Sequence, residues 1–559
     1  MKRINKSSFT LSGGLFVISC LILPGTVNAQ TAKKDTTLNR TVVVEQEYNP
    51  DIMDASKINI LPKVKEPTVE KKDIEYSTMM LPLTVFGNND VISPYTKPVQ
   101  QGNAQRGYVR LGYGNYGNVD GKFNYLFDLS QKDRLGVSAG IDGMDGKFDY
   151  LNDEKIKLRY YRSAANINYL HRFNKIDFDL AGNWGLSNFN FVPDALISHQ
   201  RFTSGDFHVG ASSSDETLPV QFKAETNLML YSRAHNAIYD KENMEYTSMG
   251  LNETRVFTKA DVAGNINDQQ KVGLALQMDN FLYTKDYQDN YTSLQLNPYY
   301  ELNNDDWKLR LGANVDLSFG SGKSFQASPD VDVQYVFNDS YILYGKATGG
   351  RILNDFRRIE QFCPYAELLR NSAINNTYEQ INGELGFKAS PYTGIWFRLF
   401  GGYQNLKDDI YQESEYWIPG PVSVIQLNQE NTNNIYVGVN YSHEYKDYFR
   451  LTAEAVYRHW DASETALIFK PSFHLDIKTD IRPIPALLIN LGYQYTMREK
   501  AEGDRLNPVN NLYAGATYNI YKGFSVYAKI NNILNSKYQY YDWYPTEGFN
   551  ALGGISFSF

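Results

Sequence analysis

Trp307-Lys308-Leu309-Arg310-Leu311-Gly312-Ala313-Asn314-Val315-Asp316-Leu317-Ser318-Phe319 alternates without a break between an apolar side chain and a polar side chain or glycine. A period of two is the side-chain repeat of a β-strand, so one face of this stretch is apolar throughout and the other is wet. At about 3.3 Å per residue the stretch reaches about 40 Å, enough for a tilted crossing of a hydrocarbon layer. On this pattern Lys308, Arg310 and Asp316 face a wet lumen while the leucines, Trp307 and Phe319 face lipid.

The same alternation recurs at 220–230, 449–457, 487–495, 512–520 and 524–530, which adds Arg450, Glu454 and Lys529 to the lumen-facing set. Between Gly107 and Phe559 the sequence holds 22 such strands by our count. Short connectors at 130–133, 172–175, 303–306, 338–340, 445–448 and 521–523 alternate with longer ones at 143–159, 188–200, 232–248, 354–373, 406–420, 498–507 and 536–548. Short turns on one side and long loops on the other are the mark of an outer-membrane β-barrel. A stack of soluble β-sandwiches fits less well, because sandwich strands usually run 5 or 6 residues. The final stretch closes the ring. Ile555, Phe557 and Phe559 alternate with Gly554, Ser556 and Ser558, and an unpaired strand there needs a partner for its edge. The first strand, with Val109, Leu111 and Tyr113, is the expected one. Phe559 then lies at the periplasmic rim, where barrel-insertion machinery can read it.

Composition agrees with an all-β transmembrane antiparallel barrel. The chain has 43 Tyr, 30 Phe and 41 Gly but only 2 Cys, a strand-rich profile. A net charge of -8 excludes nucleic acid as a partner, since phosphate binding needs an excess of Lys and Arg. No apolar run is long enough for a membrane helix. Residues 1–29 read as a signal peptide: Lys2, Arg3 and Lys6, then a short apolar core, then Val27-Asn28-Ala29 as the cleavage site. With that segment removed only Cys363 remains, so no disulfide can form within the chain. Residues 30–105 carry scattered prolines and a charged run, which predicts an extended periplasmic segment or rudimentary plug ahead of a barrel at 106–559.

Enzyme motifs fail on context. Gly112-Tyr113-Gly114-Asn115-Tyr116-Gly117 matches a dinucleotide fingerprint, but strand residues follow where a helix is needed. Gly320-Ser321-Gly322-Lys323-Ser324 lacks the first glycine of a phosphate loop and reads as a hairpin tip. Gly136-Val137-Ser138-Ala139-Gly140 has the spacing of a nucleophile elbow but lies inside an alternating strand. The seven histidines are scattered, with no metal-ligand spacing. Asp142, Asp145 and Asp149 read as solvated charge in an acidic loop. No catalytic, cofactor or metal site emerges. Clustered rings are a different matter: Tyr411, Tyr416 and Trp417 in one outer loop and Tyr538, Tyr540, Tyr541, Trp543 and Tyr544 in another either contact a ligand, with Trp417, Tyr540, Trp543 and Tyr544 the candidates, or form the aromatic girdle of the barrel.

At its C-terminal end, from Val526 through Ile530, Asn531, Asn532, Ile533, Leu534, Asn535 and Tyr538 to Phe559, the sequence resembles the last hairpin of TonB-dependent receptors. Thr377-Tyr378-Glu379-Gln380-Ile381-Asn382-Gly383-Glu384-Leu385-Gly386-Phe387-Lys388 looks like a mid-barrel strand of that family. The resemblance covers the barrel and implies 22 strands with an obstructed lumen. It implies transport across the outer membrane, with contacts to lipid and to a TonB-type periplasmic protein or a surface lipoprotein. Thr41, Val42, Val43, Val44 and Glu45 are similar to the short TonB-binding box. The front departs from the family: only about 75 residues precede the barrel, less than the family's plug. Either the N-terminal segment or a partner is expected to occupy the mouth. The alternative is a plugless barrel that scaffolds an outer-membrane assembly.

Overall fold

In a bilayer every backbone N–H and C=O must be bonded within the protein, and a β-sheet achieves this only by closing on itself. The computed structural model does so. It describes residues 106–559 apart from 150–153, 194, 216–217, 241–244, 284–287, 338–339, 369–373, 418–421 and 499–506. Twenty-two antiparallel strands form one sheet, as the alternation predicts. The seam is the pairing of the first strand, Gly107–Gly114, with the last, Asn550–Ser558, in the register Val109 with Phe557 and Leu111 with Ile555. Gly107 and Phe559 exchange backbone hydrogen bonds at 2.8 and 2.9 Å.

Register carries one face around the ring. Leu111, Leu311, Leu385 and Ile435 are exposed on the outside, forming the apolar surface that a membrane-spanning barrel presents to lipid. Trp307, Tyr335, Phe337, Tyr341 and Phe387 form a chain of ring contacts at 4.7–6.2 Å along one rim of that surface. This is the girdle arrangement expected where a barrel meets headgroups.

Two expectations about loops are corrected. Asp142, Asp145 and Asp149 are not in a loop: the strand Asp133–Asp149 continues through them, and Asp142 pairs with Arg162 at 2.8 Å and Asp145 with Lys157 at 3.0 Å. Tyr411, Tyr416 and Trp417 also belong to a strand, Ile395–Trp417, which pairs with Val422–Tyr445 to make a hairpin taller than its neighbours. Its register shifts between Leu406 and Asp409, with Asp408 at φ 52°. Ile410, Val424 and Ile425 beyond the shift are buried.

Candidate functional site

The long connector between the strands Tyr341–Ile352 and Thr377–Tyr392 does not stand away from the barrel. Asp355 caps the helix Phe356–Phe362, its carboxylate accepting from the Arg358 amide at 2.9 Å. Pro364 stops the helix, since the residue before a proline is pushed out of the helical region and Cys363 is extended at φ −155°. Phe356, Ile359 and Cys363 lie on one face at helical spacing and are fully buried.

Two charged residues of this helix are buried as well. Arg357 donates two hydrogen bonds to Asp206, one of 2.8 Å. Asp206 lies on the inner face of the strand His199–Ser213, seven residues below its outer end, or about 23 Å along the strand. Glu360 accepts from the Ser187 hydroxyl at 2.8 Å and from the Tyr231 hydroxyl. The helix therefore sits inside the barrel. At its start Arg255 bridges Asp279 at 2.7 Å and Asp355 at 2.8 Å, and the Phe356 amide donates to Glu253 at 3.1 Å. Burial raises the Glu360 carboxyl above its ordinary range and pushes the Cys363 thiol up to about 12.

Beyond the helix the chain is tied to the mouth. Arg233 donates to the Ala366 carbonyl at 2.7 Å, the Leu368 amide donates to Asn236 at 3.1 Å, and the Glu367 amide donates to the Ile425 carbonyl at 2.9 Å. The last bond joins the inward loop to the tall hairpin. Tyr365 stacks on Tyr544 with centroids 3.5 Å apart and meets Phe189 edge to face at 5.3 Å. One apolar cluster thus unites Met144, Leu158, Phe202, Ile359, Ile425 and Tyr541, drawn from separate strands and loops. Replacing a ring of such a cluster by alanine costs about 3–5 kcal/mol.

The sequence-derived candidates distribute as follows. Tyr544 is buried against Tyr365, so its ring is spent on loop packing; Tyr540 and Trp543 keep partial exposure. The side chain of Trp417 and the segment Thr41, Val42, Val43, Val44 and Glu45 lie outside the described residues. Lys308, Arg310, Asp316, Arg450, Glu454 and Lys529 all share the polar face of the wall by register. Arg310 bonds Asp330 at 2.8 Å and Asn297 at 3.1 Å, and Asp316 is 1% exposed. Arg450 pairs with Glu444 at 2.8 Å and Glu454 accepts from Asn440 at 2.9 Å. Lys529 and Arg110 converge on Asp120 at 2.8 and 2.7 Å beside the seam.

Below the helix the inner wall holds a hollow of ≈ 250 Å³, roofed by Arg357 and Glu360. Sequence reading missed the helix residues. The available signal was Asp355 as a cap, apolar Phe356 and Ile359 at helical spacing, and Pro364 as a stop.

No family model matches the sequence, and no curated protein matches it. Solved structures do. The ferric enterobactin receptor PfeA of Pseudomonas aeruginosa shares 12% identity over 82% of both chains with a TM-score of 0.62. The siderophore receptor PirA of Acinetobacter baumannii shares 10% over 82% of this chain and 81% of its own, at 0.62. The FrpB iron transporter of Neisseria meningitidis shares 11% over 82% of both chains, again at 0.62. The likeness is one of fold: a closed antiparallel β-barrel of 22 strands.

Proposed function

We propose that the protein is an outer-membrane transporter-like barrel of the TonB-dependent receptor type whose outer mouth is held shut by its own inward-folded loop. The Arg357–Asp206 contact inside the barrel carries this reading. A 22-stranded barrel leaves a lumen that must be obstructed, and here a loop of the barrel itself reaches into it. Passage of a ligand requires that loop to withdraw. In this account residues 30–105 supply a periplasmic arm, with Thr41, Val42, Val43, Val44 and Glu45 as the contact for a TonB-type protein. The wall residues Lys308, Arg310, Asp316, Arg450, Glu454 and Lys529 line the wet path.

Cells carrying the protein with Arg357→Ala test the gate. They become sensitive to a large antibiotic that the intact outer membrane excludes, whereas unchanged sensitivity with normal amounts of folded barrel counts against it. Deleting residues 41–45 tests the drive separately, because it removes ligand uptake without affecting closure. One observation favours a scaffold instead: the loop is held by several buried bonds at once. On that reading the 41–45 deletion leaves uptake unchanged and abolishes co-purification of partner proteins.

A further inference from the structure

Register arranges the inner wall beneath the helix Phe356–Phe362 in rows. One row runs Lys122, Gly140, Ala164, Gly185, Ser204 across five neighbouring strands. Its three central positions carry at most a methyl group, so the wall is hollowed there. A Cβ on Gly140 would meet nothing nearer than the Gly121 carbonyl at 3.6 Å. The next row toward the periplasmic end runs Asn124, Ser138, Asn166, Asn183, Asp206. Asn166 donates to Asn183 at 2.5 Å. Each carboxamide has two donors and an acceptor oxygen with two lone pairs, so this bond leaves most of their capacity unused.

The charges on this hollow balance. Lys122, Arg162 and Arg357 face Asp142, Asp206 and Glu360, three positive against three negative. Both guanidinium groups are committed, Arg162 to Asp142 at 2.8 Å and Arg357 to Asp206 at 2.8 Å. An anionic ligand would find no free arginine fork, the group that binds carboxylate and phosphate bidentately, but only the single ammonium of Lys122 at the end of the row. A wholly apolar ligand would strip water from the amides without replacing its hydrogen bonds, while Ala164, Leu186 and Phe202 offer apolar surface to the carbon face of a ligand that has both. What remains is a neutral molecule dense in groups that both donate and accept.

We infer that the hollow between the Asn124–Asn183 row and the helix Phe356–Phe362 is a binding site for an uncharged, polyhydroxylated solute of mono- to disaccharide size. Its volume of ≈ 250 Å³ lies just below the usual span of ligand pockets, roughly 300–1,000 Å³, which sets the size limit. Asn124, Asn166 and Asn183 form the floor, and Gly140, Ala164 and Gly185 make the room. The helix roofs the site, so binding also ties the substrate to the gate; in that respect the inference rests on the transport reading.

The test is equilibrium binding of labelled glucose and maltose to the full-length protein, purified in a detergent without a sugar headgroup, with citrate as a charged control of similar size. Saturable binding of glucose or maltose at concentrations up to about 10 mM and none of citrate is the expected result. Asn183→Leu and Gly140→Leu should each weaken it about tenfold, the scale of one lost hydrogen bond or a blocked subsite. Asn166→Asp, nearly the same shape, should weaken it too and covers the case in which a leucine variant does not fold. Absence of saturable sugar binding, equal binding in every folded variant, or tighter binding of citrate would overturn the inference. The gate is read independently by membrane permeability: sugar binding without a permeability change in Arg357→Ala removes the gate and keeps the site. The converse removes the site and keeps the gate.

Discussion

The guanidinium of Arg357 and the carboxylate of Asp206 meet inside the barrel through two hydrogen bonds, 151 residues apart in sequence. Both side chains are about nine-tenths buried. Each therefore depends on the other for its charge to be tolerated away from water.

Removing one partner leaves the other buried and unpaired, which costs about 3–5 kcal/mol. Arg357→Ala and Asp206→Ala should each loosen the inward loop, and the double variant should cost less than the sum. Hydrogen exchange of the amides at 355–368 reads the opening directly. Additive effects would mean that the two groups do not act as a pair.

Cys363 reports on the same opening. Its thiol is wholly buried and pushed up to about 12, so near neutral pH it lacks both the thiolate and the access that alkylation requires. A maleimide should leave it unmodified in the native protein and label it in Arg357→Ala. Rapid labelling of the native protein would mean that the helix spends much of its time withdrawn.

Lys529 and Arg110 share Asp120 next to the seam, and all three are almost fully buried. Asp120→Asn leaves two cations facing each other without a carboxylate, a loss of about 3–5 kcal/mol by the same reasoning. The variant should lose its compact, heat-modifiable gel migration at a lower temperature than the native barrel. Asp120→Glu should recover part of the difference.

Glu547 gives a pH dependence. Its carboxylate accepts from Asn118 at 2.9 Å and from Asn550, tying the first outer hairpin to the last strand. Burial raises its pKa from 4.5 to about 7. A carboxyl raised in the folded state holds its proton more tightly there than in the unfolded chain. Its stabilising effect is present at acid pH and is lost as pH rises from 4.5 to about 7. Exchange at 115–118 and 532–549 should therefore quicken over that window, and Glu547→Gln should flatten the profile.

The strands were legible because each position has a fixed side. Leu309, Leu311 and Val315 share the outer face of the wall and Arg310 the polar one, and a period of two records that distinction directly. The seam followed from Ile555 and Phe557 for the same reason. The inward loop was not legible, because nothing near Arg357 and Glu360 in sequence marks them as buried. Their burial depends on Asp206, Ser187 and Tyr231, brought near only by closure of the ring. The tall hairpin reads as a loop in the sequence because Gln412, Glu413, Ser414 and Glu415 show no apolar face, yet a strand that rises above its neighbours needs none. The stacking of Tyr544 on Tyr365 is not legible either, because the two rings lie in distant parts of the chain.

Single-channel recording in a planar bilayer tests closure by the loop most directly, comparing the native full-length protein with Arg357→Ala. The native barrel should be closed almost all the time, and the variant should show frequent, discrete openings. Equal conductance in the two, or a native barrel that conducts freely, would contradict the claim that this loop shuts the mouth.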